Sequence, residues 1–312
     1  MSKQLLVVFG ATGNQGHSVI QFLLNHPELS SQYSVRAVTR NANTPTAQTL
    51  SSQGIEVVTA DLNDPSSLPA ALRGASFVFA TTNSAYEGNT REVETRQAKA
   101  LCEESIKQGI KYIIWSTLPH PEKISGGKAK VEHFDVKAEI EEYIRGLPID
   151  SAFVAPGSFM QNMYSVLAPR KSAANDGSYI FTNMVHPTKT LFPLFDATDV
   201  GAWTNAVLAE PAKYEGKFFA AAQGFYSMED MARIMSKVSG KTVEYERISE
   251  EQWQGSFPEP LGHMMLETGI YQRDYGYYGP NMKEDVEWAQ KQVQGQLTDF
   301  ESFLRKTEFK LE

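Results

Sequence analysis

The feature that most constrains the fold is a glycine-rich segment, F-G-A-T-G-N-Q-G, between an apolar strand-like run and a helix-like run. Its glycines are Gly10, Gly13 and Gly16, and the polar residues among them are Thr12, Asn14 and Gln15. A strand, such a turn and a helix together form the phosphate-binding corner of dinucleotide folds, because the helix N-terminus supplies free N–H groups. A glycine-rich turn that serves only packing is the alternative. The context favours a dinucleotide site, where the polar side chains reach phosphate or ribose oxygens.

Short β-branched runs alternate with helix-like runs through the first half of the chain. The strand-like runs are L-L-V-V-F, Y-S-V-R-A-V-T, I-E-V-V-T-A, S-F-V-F-A-T-T and Y-I-I-W-S. This alternation is typical of βαβ units, in which helices cover both faces of a parallel sheet. We therefore predict an α/β fold with a Rossmann-type doubly wound parallel sheet over residues 1–157. A smaller C-terminal α/β region, residues 158–312, should form a cleft with it and return some segments to it.

Charge and composition exclude several classes of protein. Of the 312 residues, 37 are acidic and 29 are basic, so a net charge of −8 argues against direct nucleic-acid binding. No apolar run in the sequence reaches the ~18 residues of a membrane span. The six histidines are scattered and form no Cys/His cluster, so we predict no metal site.

Cysteine usage and the start of the chain bear on the compartment. Cys102 is the single cysteine, which excludes an intrachain disulfide and favours a reducing compartment. A buried core thiol fits it better than a redox switch. The first strand-like run begins about four residues from the start, so we expect no signal peptide. These features predict the cytoplasm, with the nucleus as a second location.

The residue that ends the second strand-like run distinguishes between the nicotinamide dinucleotides. An acidic residue there would bind the ribose hydroxyls of NAD(H) and repel a 2′-phosphate. This chain has Arg40, whose guanidinium suits a dianion, so NADP(H) is favoured; an ordinary solvated arginine is the alternative. Asp61 ends the third run, where it bounds the adenine site or caps the next turn. Thr81, Thr82 and Asn83 follow the fourth run, on the expected path of the cofactor.

One amphipathic helix-like segment, residues 131–144, carries two polar residues on its apolar side. At ~100° per residue, His133 and Lys137 fall one turn apart on that side, whereas Asp135 falls opposite. An imidazole and an ammonium that point into the protein indicate a site there.

Four motifs together resemble the NmrA-like family of atypical short-chain dehydrogenases. They are G-A-T-G-N-Q-G, V-T-R-N, H-F-D-V-K and P-G-S-F-M-Q-N, in this order along essentially the whole chain. The resemblance implies a Rossmann domain, a smaller C-terminal part and, for several members, NADP(H)-responsive regulation in place of turnover. It also implies residues that line the nicotinamide side. They are Lys137, Pro156, Gly157 and Phe159, with Asn162 framing the pocket.

The resemblance also bears on His133, because a catalytic short-chain dehydrogenase has tyrosine there, four residues before the lysine. It implies that Lys137 binds the nicotinamide ribose, and that Ser116 takes the place of the substrate-orienting serine. A histidine beside a lysine tends to be neutral at pH 7, so it differs from tyrosine as a proton donor. The candidate catalytic residues are His133, Lys137 and Ser116. A His133 that only hydrogen-bonds its neighbouring loop or a backbone carbonyl is the alternative.

Two classes of function fit these residues. The first is an NADP(H)-binding redox sensor that acts through a regulatory protein partner, which the resemblance and the missing tyrosine favour. The alternative is an NADPH-dependent oxidoreductase of quinones or enones, whose chemistry does not strictly need the tyrosine. Whether the chain is an enzyme stays open, as does the choice between monomer and homodimer.

Three further segments give local predictions. The glycine-containing loop 119–130 suits a mobile lid beside the site. Ser227 with Asp230 predicts a capping box for a helix over residues 228–238. Asp199 is interpreted as the N-cap of a helix over residues 200–208.

Overall fold

The structure, a computed structural model, describes residues 3–82 and 89–311. Its strands, in chain order, are β1 (Gln4–Phe9), β2 (Tyr33–Thr39), β3 (Glu56–Thr59), β4 (Phe77–Ala80), β5 (Tyr112–Ser116), β6 (Asp150–Pro156), β7 (Ser158–Phe159), β8 (Arg170–Lys171), β9 (Tyr179–Asn183), β10 (Phe192–Phe195), β11 (Phe218–Ala221), β12 (Gly224–Tyr226) and β13 (Val243–Arg247). Its α-helices are α1 (Asn14–Leu24), α2 (Pro27–Gln32), α3 (Pro45–Ser52), α4 (Leu68–Leu72), α5 (Thr90–Lys107), α6 (Pro121–Ile124), α7 (Glu132–Arg145), α8 (Val200–Ala209), α9 (Met228–Ser239), α10 (Glu250–Gly255), α11 (Leu261–Tyr275), α12 (Met282–Gln290) and α13 (Phe300–Lys306). None of these described helices is both long and apolar enough to cross a membrane.

The main sheet has seven parallel strands in the order β11-β6-β5-β4-β1-β2-β3. The strand order reverses between β1 and β4, which leaves a crevice at the carboxyl ends of the strands, where doubly wound folds bind their ligands. The α/β, Rossmann-type prediction is thus confirmed.

The central strands of the main sheet are largely apolar because helices cover both faces. In β1, Leu6 and Val8 pack in the core that contains α1 and α8, whereas Val7 and Phe9 pack in the core that contains α5 and α7. Successive side chains of a strand point to opposite faces, so an unbroken apolar run is what a doubly covered strand requires.

Residues after 157 form a smaller region but also complete the main sheet. Its two small sheets have the orders β12-β10-β7 and β13-β9-β8. The strand β11 returns to pair with β6, and α8 packs on α1. The division at residue 157 stays a prediction.

Two predicted helix caps have different outcomes. The capping box of Ser227 and Asp230 is confirmed, since each side chain accepts a hydrogen bond from the other residue's backbone N–H. Asp199 is at the N-cap position of α8, as predicted, but its side chain makes no capping hydrogen bond: the carboxylate accepts from the Thr298 N–H at 2.7 Å and the Thr298 hydroxyl at 3.1 Å. Asp196 caps the short 3-10 turn Ala197–Asp199 that precedes α8, because its carboxylate accepts from the Thr198 N–H at 2.9 Å.

Candidate functional site

The glycine-rich loop has the backbone conformation that the sequence predicts for a phosphate-binding turn. Gly10 has φ +65°, which favours glycine, and its carbonyl accepts the Gly13 N–H at 2.9 Å. A Cβ on Gly16 would lie 2.3 Å from the Gly10 oxygen, so α1 packs directly on the turn. No side chain caps α1 at Gly13, and the first N–H groups of the helix are therefore available to an anion.

A groove of about 540 Å³ lies beside this loop, at the carboxyl ends of β1 to β4. The predicted cofactor residues that line it are Gly10, Thr12, Gly13, Asn14, Gln15, Gly16, Arg40, Asp61, Thr81 and Phe159. Asn83 lies outside the described residues. Residues that the sequence analysis missed also line the groove, and these include Leu62, Asn63, Val93 and Gln97.

Arg40 and Asp61 lie in this groove in different settings. Arg40 is exposed, and within residues 3–82 and 89–311 its guanidinium has neither a hydrogen bond nor an ion pair. The Asp61 carboxylate accepts the Asn63 N–H at 2.9 Å, and the Asn63 side-chain oxygen accepts from Gln97 at 2.9 Å. Asp61 therefore both lines the groove and stabilises its own turn, so the two interpretations offered for it are compatible.

A second cavity, of about 510 Å³, adjoins the groove, and the two share Gln15, Thr81 and Phe159. The other predicted site residues that line it are Thr82, Ser116, His133, Lys137, Pro156, Gly157 and Asn162. The far wall comes from the C-terminal region. Its residues include Asn183, Phe192, Trp253, Leu261, Met264, Met265, Thr268 and Gln272, which sequence reasoning missed because no local motif marks them.

Gly157 allows the wall of this cavity to form where strands of two sheets meet. Its N–H donates to the Ala221 carbonyl at 2.8 Å, and a Cβ would lie 2.2 Å from the Pro193 oxygen. Any side chain there would push these backbones apart, which explains glycine in the P-G-S-F motif.

Ser116 joins the groove to the cavity. Its hydroxyl donates to the Gln15 side-chain oxygen at 2.8 Å, and the serine is 2% exposed. The phosphate-binding loop and the candidate substrate-orienting residue are therefore in direct contact.

Lys137 reaches from α7 to the end of β4, where it meets a carboxylate that no motif predicted. Its ammonium donates to the Thr82 carbonyl at 2.8 Å, the Thr82 hydroxyl at 3.0 Å and Glu94 Oε2 at 2.6 Å. Burial lowers the pKa of Lys137, and the Glu94 carboxylate opposes that shift.

His133 lies on the cavity wall, edge-to-face with Phe134 at a ring-centroid distance of 4.8 Å. Removal from water, and secondarily the Lys137 ammonium, lowers the pKa of His133 to about 3. The imidazole is therefore neutral at physiological pH, as its position beside a lysine predicts.

Contacts with the Asp135 side chain hold the loop over residues 119–130 at several points, and its mobility stays a prediction. Asp135, expected on the solvent side, is 1% exposed and anchors the loop. Its carboxylate accepts from the N–H groups of Glu122 and Val131, both at 2.9 Å, and lies 2.8 Å from His120 Nδ1. The amphipathic pattern placed Asp135 wrongly because the loop folds back over that face of α7.

The described residues offer neither a cluster of metal ligands nor an accessible thiol. No group of three or more His, Cys, Asp or Glu side chains in the described ranges could hold a metal ion. Cys102 is buried, and burial raises its pKa to about 12, so it is a core thiol as expected.

Several known proteins are similar to this chain in sequence or in fold. The model of the NmrA-like family matches residues 2–304. An NmrA-like family domain-containing protein of Dictyostelium discoideum is 29% identical over 319 residues, covering 100% of both chains. The crystal structure of NmrA, a negative transcriptional regulator, has a TM-score of 0.79 at 21% identity, over 98% of this chain and 95% of that one. The NADPH-dependent quinone oxidoreductase QOR2 of Escherichia coli, complexed with NADPH, has a TM-score of 0.76 at 23% identity, over 97% and 99%.

Proposed function

This chain belongs to the NmrA-like family, and from that premise we propose that it binds NADP(H) and reduces an uncharged conjugated acceptor, such as a quinone or enone. The observation that carries the proposal is the second cavity. A dinucleotide along the groove would place its nicotinamide end at the near side of this 510 Å³ cavity, beside Lys137, Pro156 and Gly157, and the side built by the C-terminal region would remain for a further small molecule.

The groove fits NADP(H) in its donor set. The Gly10 turn and the uncapped start of α1 offer backbone N–H groups to a pyrophosphate. Arg40 offers a guanidinium without a partner among the described residues, which suits a 2′-phosphate. Bound NADPH supplies a hydride.

The cavity suits an uncharged, largely apolar acceptor. Lys137 is the charged side chain among the described lining residues, and Glu94 balances its charge at 2.6 Å. His133 adds no charge, because its pKa is about 3. The remaining surface is largely aromatic and aliphatic, and it includes Phe134, Phe159, Phe192, Trp253, Met264 and Met265.

Ser116 and His133 would orient the acceptor. When a conjugated carbonyl accepts hydride at carbon, negative charge develops on its oxygen, and hydrogen-bond donors stabilise that charge. The Ser116 hydroxyl, once it turns from the Gln15 oxygen to the acceptor, and the N–H of a neutral imidazole are such donors at the cavity wall. Water can then protonate the product, so the absent tyrosine is not essential.

A second candidate is an NADP(H)-responsive redox sensor that acts through a protein partner. His133 occupies the position of the usual tyrosine and is too weak a base to be an imidazolium acid at neutral pH. The fold shared with NmrA, itself a negative transcriptional regulator, also supports this reading.

One experiment separates the candidates. NADPH consumption is measured with a panel of quinones, enones and aldehydes, and NADPH binding is measured in parallel by calorimetry. Turnover that falls ~10²–10³-fold in Ser116→Ala, with NADPH affinity unchanged within a few-fold, supports the reductase. Tight NADPH binding without turnover supports the sensor, and the absence of NADPH binding contradicts both.

A further inference from the structure

Glu94 is a buried carboxylate that the chemistry above does not use. It lies in α5, is 0% exposed and accepts through Oε2 from both Lys137 and the Thr82 hydroxyl. A fully buried carboxylate is costly unless it is paired, so its position calls for a specific function.

The contacts of Lys137 show what Glu94 does. An ammonium has three protons, and all of them have acceptors here, on Glu94 and on two atoms of Thr82. Lys137 is 8% exposed and still lines the cavity. The side chain therefore cannot swing freely, and its direction is set by Glu94 and Thr82 together.

We propose that Glu94 is the positioning residue for Lys137: its carboxylate keeps the ammonium charged and fixed at the end of β4, where a hydroxyl of the nicotinamide ribose can replace one of the two Thr82 acceptors. This inference rests on the proposed binding of NADP(H). It assigns a function to a residue that lies 43 positions from Lys137 and within no recognised motif.

Electrostatics explains why a carboxylate is needed. Burial disfavours the ammonium, and Glu94 on α5 supplies the charge that opposes this effect. On α7, His133 remains neutral because its pKa is about 3, and Glu141 is paired with Arg145 at 2.7 Å. Thr82, at the end of β4, carries no charge. Without Glu94, the ammonium would have no counter-charge among its described neighbours.

The test is Glu94→Gln, which keeps the size of the side chain and removes its charge. Lysine-selective NMR, assigned with Lys137→Met, follows the ionisation of Lys137 in protein without cofactor. We expect the titration midpoint of Lys137 to fall by about two pH units or more. NADPH affinity of Glu94→Gln should then fall ~10-fold by about one pH unit above this lower midpoint, whereas that of the unaltered protein is nearly unchanged at the same pH.

Two controls separate positioning from mere structural support. Glu92→Gln, in an exposed side chain of the same helix that pairs with Arg96, should leave both profiles unchanged. Adding Lys137→Met to Glu94→Gln should abolish the pH dependence of NADPH affinity. An equal loss of affinity at every pH, with an unaltered Lys137 titration, would overturn the proposal.

Two further outcomes remain decisive. If Glu94→Gln does not fold, Glu94→Asp retains the counter-charge and should keep the affinity profile of the unaltered protein; a profile that falls at a lower pH would refute the inference. If no form binds NADPH, the proposed function fails, but the Lys137 titration still decides the function of Glu94.

Discussion

His133 and Lys137 lie one turn apart on the same face of α7, but different surroundings decide their charges. Lys137 has a carboxylate partner and all three protons bonded, which partly offsets the cost of burying its charge. The charge of Lys137 and burial both act against the imidazolium of His133. Two ionisable groups on one apolar stripe are therefore compatible when one is paired and the other is neutral.

The low pKa of His133 predicts how the free energy of unfolding depends on pH. The folded His133 has a pKa of about 3, below its unfolded value of ~6.5, so the unfolded chain binds more protons between these values. The stabilisation by neutral burial is complete above pH ~6.5 and is lost as the pH falls. Between about pH 7.5 and about pH 5, the unaltered protein should lose ~2 kcal/mol more unfolding free energy than His133→Gln.

Urea unfolding at both pH values measures this difference. His263→Gln, in an exposed side chain, is the control for the loss of an imidazole elsewhere in the chain. Parallel pH profiles for the unaltered protein and His133→Gln would show that His133 titrates normally in the folded state.

Arg40 should decide which nicotinamide dinucleotide binds more tightly. Its guanidinium would make charge-assisted hydrogen bonds to the 2′-phosphate of NADPH, a group that NADH lacks. We expect NADPH to bind at least ~10-fold more tightly than NADH, and Arg40→Ala to narrow this gap by ~1.5–3 kcal/mol. Calorimetry with NADPH and with NADH measures the difference in affinity. Arg73→Ala, outside the groove, is the control. Equal affinities in the unaltered protein would contradict the assignment of NADP(H).

Among the elements, α7 and the preceding loop act as one unit through Asp135. The carboxylate accepts two backbone N–H groups and contacts His120, and these contacts cross the whole loop from residue 120 to residue 131. A loop fixed at both ends exchanges its amides slowly. The helix and the loop should therefore open together.

Asp135→Asn tests this coupling. Asparagine lacks the charge and the second acceptor oxygen, so at least one buried N–H loses its partner; we expect a loss of roughly 2–4 kcal/mol in unfolding free energy. Hydrogen exchange should accelerate across residues 119–131. Glu139→Gln, in a more exposed side chain of the same helix, should change stability by less than ~1 kcal/mol. Fast amide exchange of this loop in the unaltered, cofactor-free protein would instead support the prediction that the loop is a mobile lid.

At the scale of the whole molecule, the C-terminal half completes the N-terminal fold. The helix α8 buries Val200, Trp203, Val207 and Leu208 in the core shared with α1, and β11 forms the edge beside β6. Separate folding of the first 157 residues would expose that apolar face to water.

We therefore expect a fragment of residues 1–157 not to unfold cooperatively, although it contains the complete glycine-rich loop. Circular dichroism during heating and binding of a hydrophobic dye, compared with the full chain, measure this. A cooperative transition in the fragment would show that α8 and β11 are dispensable, and that the first 157 residues form an independent domain.

Local sequence patterns were sufficient to predict the fold class and the glycine-rich side of the candidate site. The strand-like runs Tyr33–Thr39 and Tyr112–Ser116 coincide with β2 and β5. Gly10 and Gly16 were identified because backbone conformation and close approach restrict those positions to glycine. These constraints act within a few residues, and the sequence therefore determined them by itself.

Tertiary structure alone decided the remainder, because it depends on contacts between distant segments. Glu94 meets Lys137 only after α5 and α7 pack together, and Asp135 is buried only because the loop folds over it. Trp253 and Met264 reach the cavity from a region that no motif connects with the cofactor groove. Helical periodicity predicts which face of a helix is apolar, but it does not predict which charge arrives there from another element.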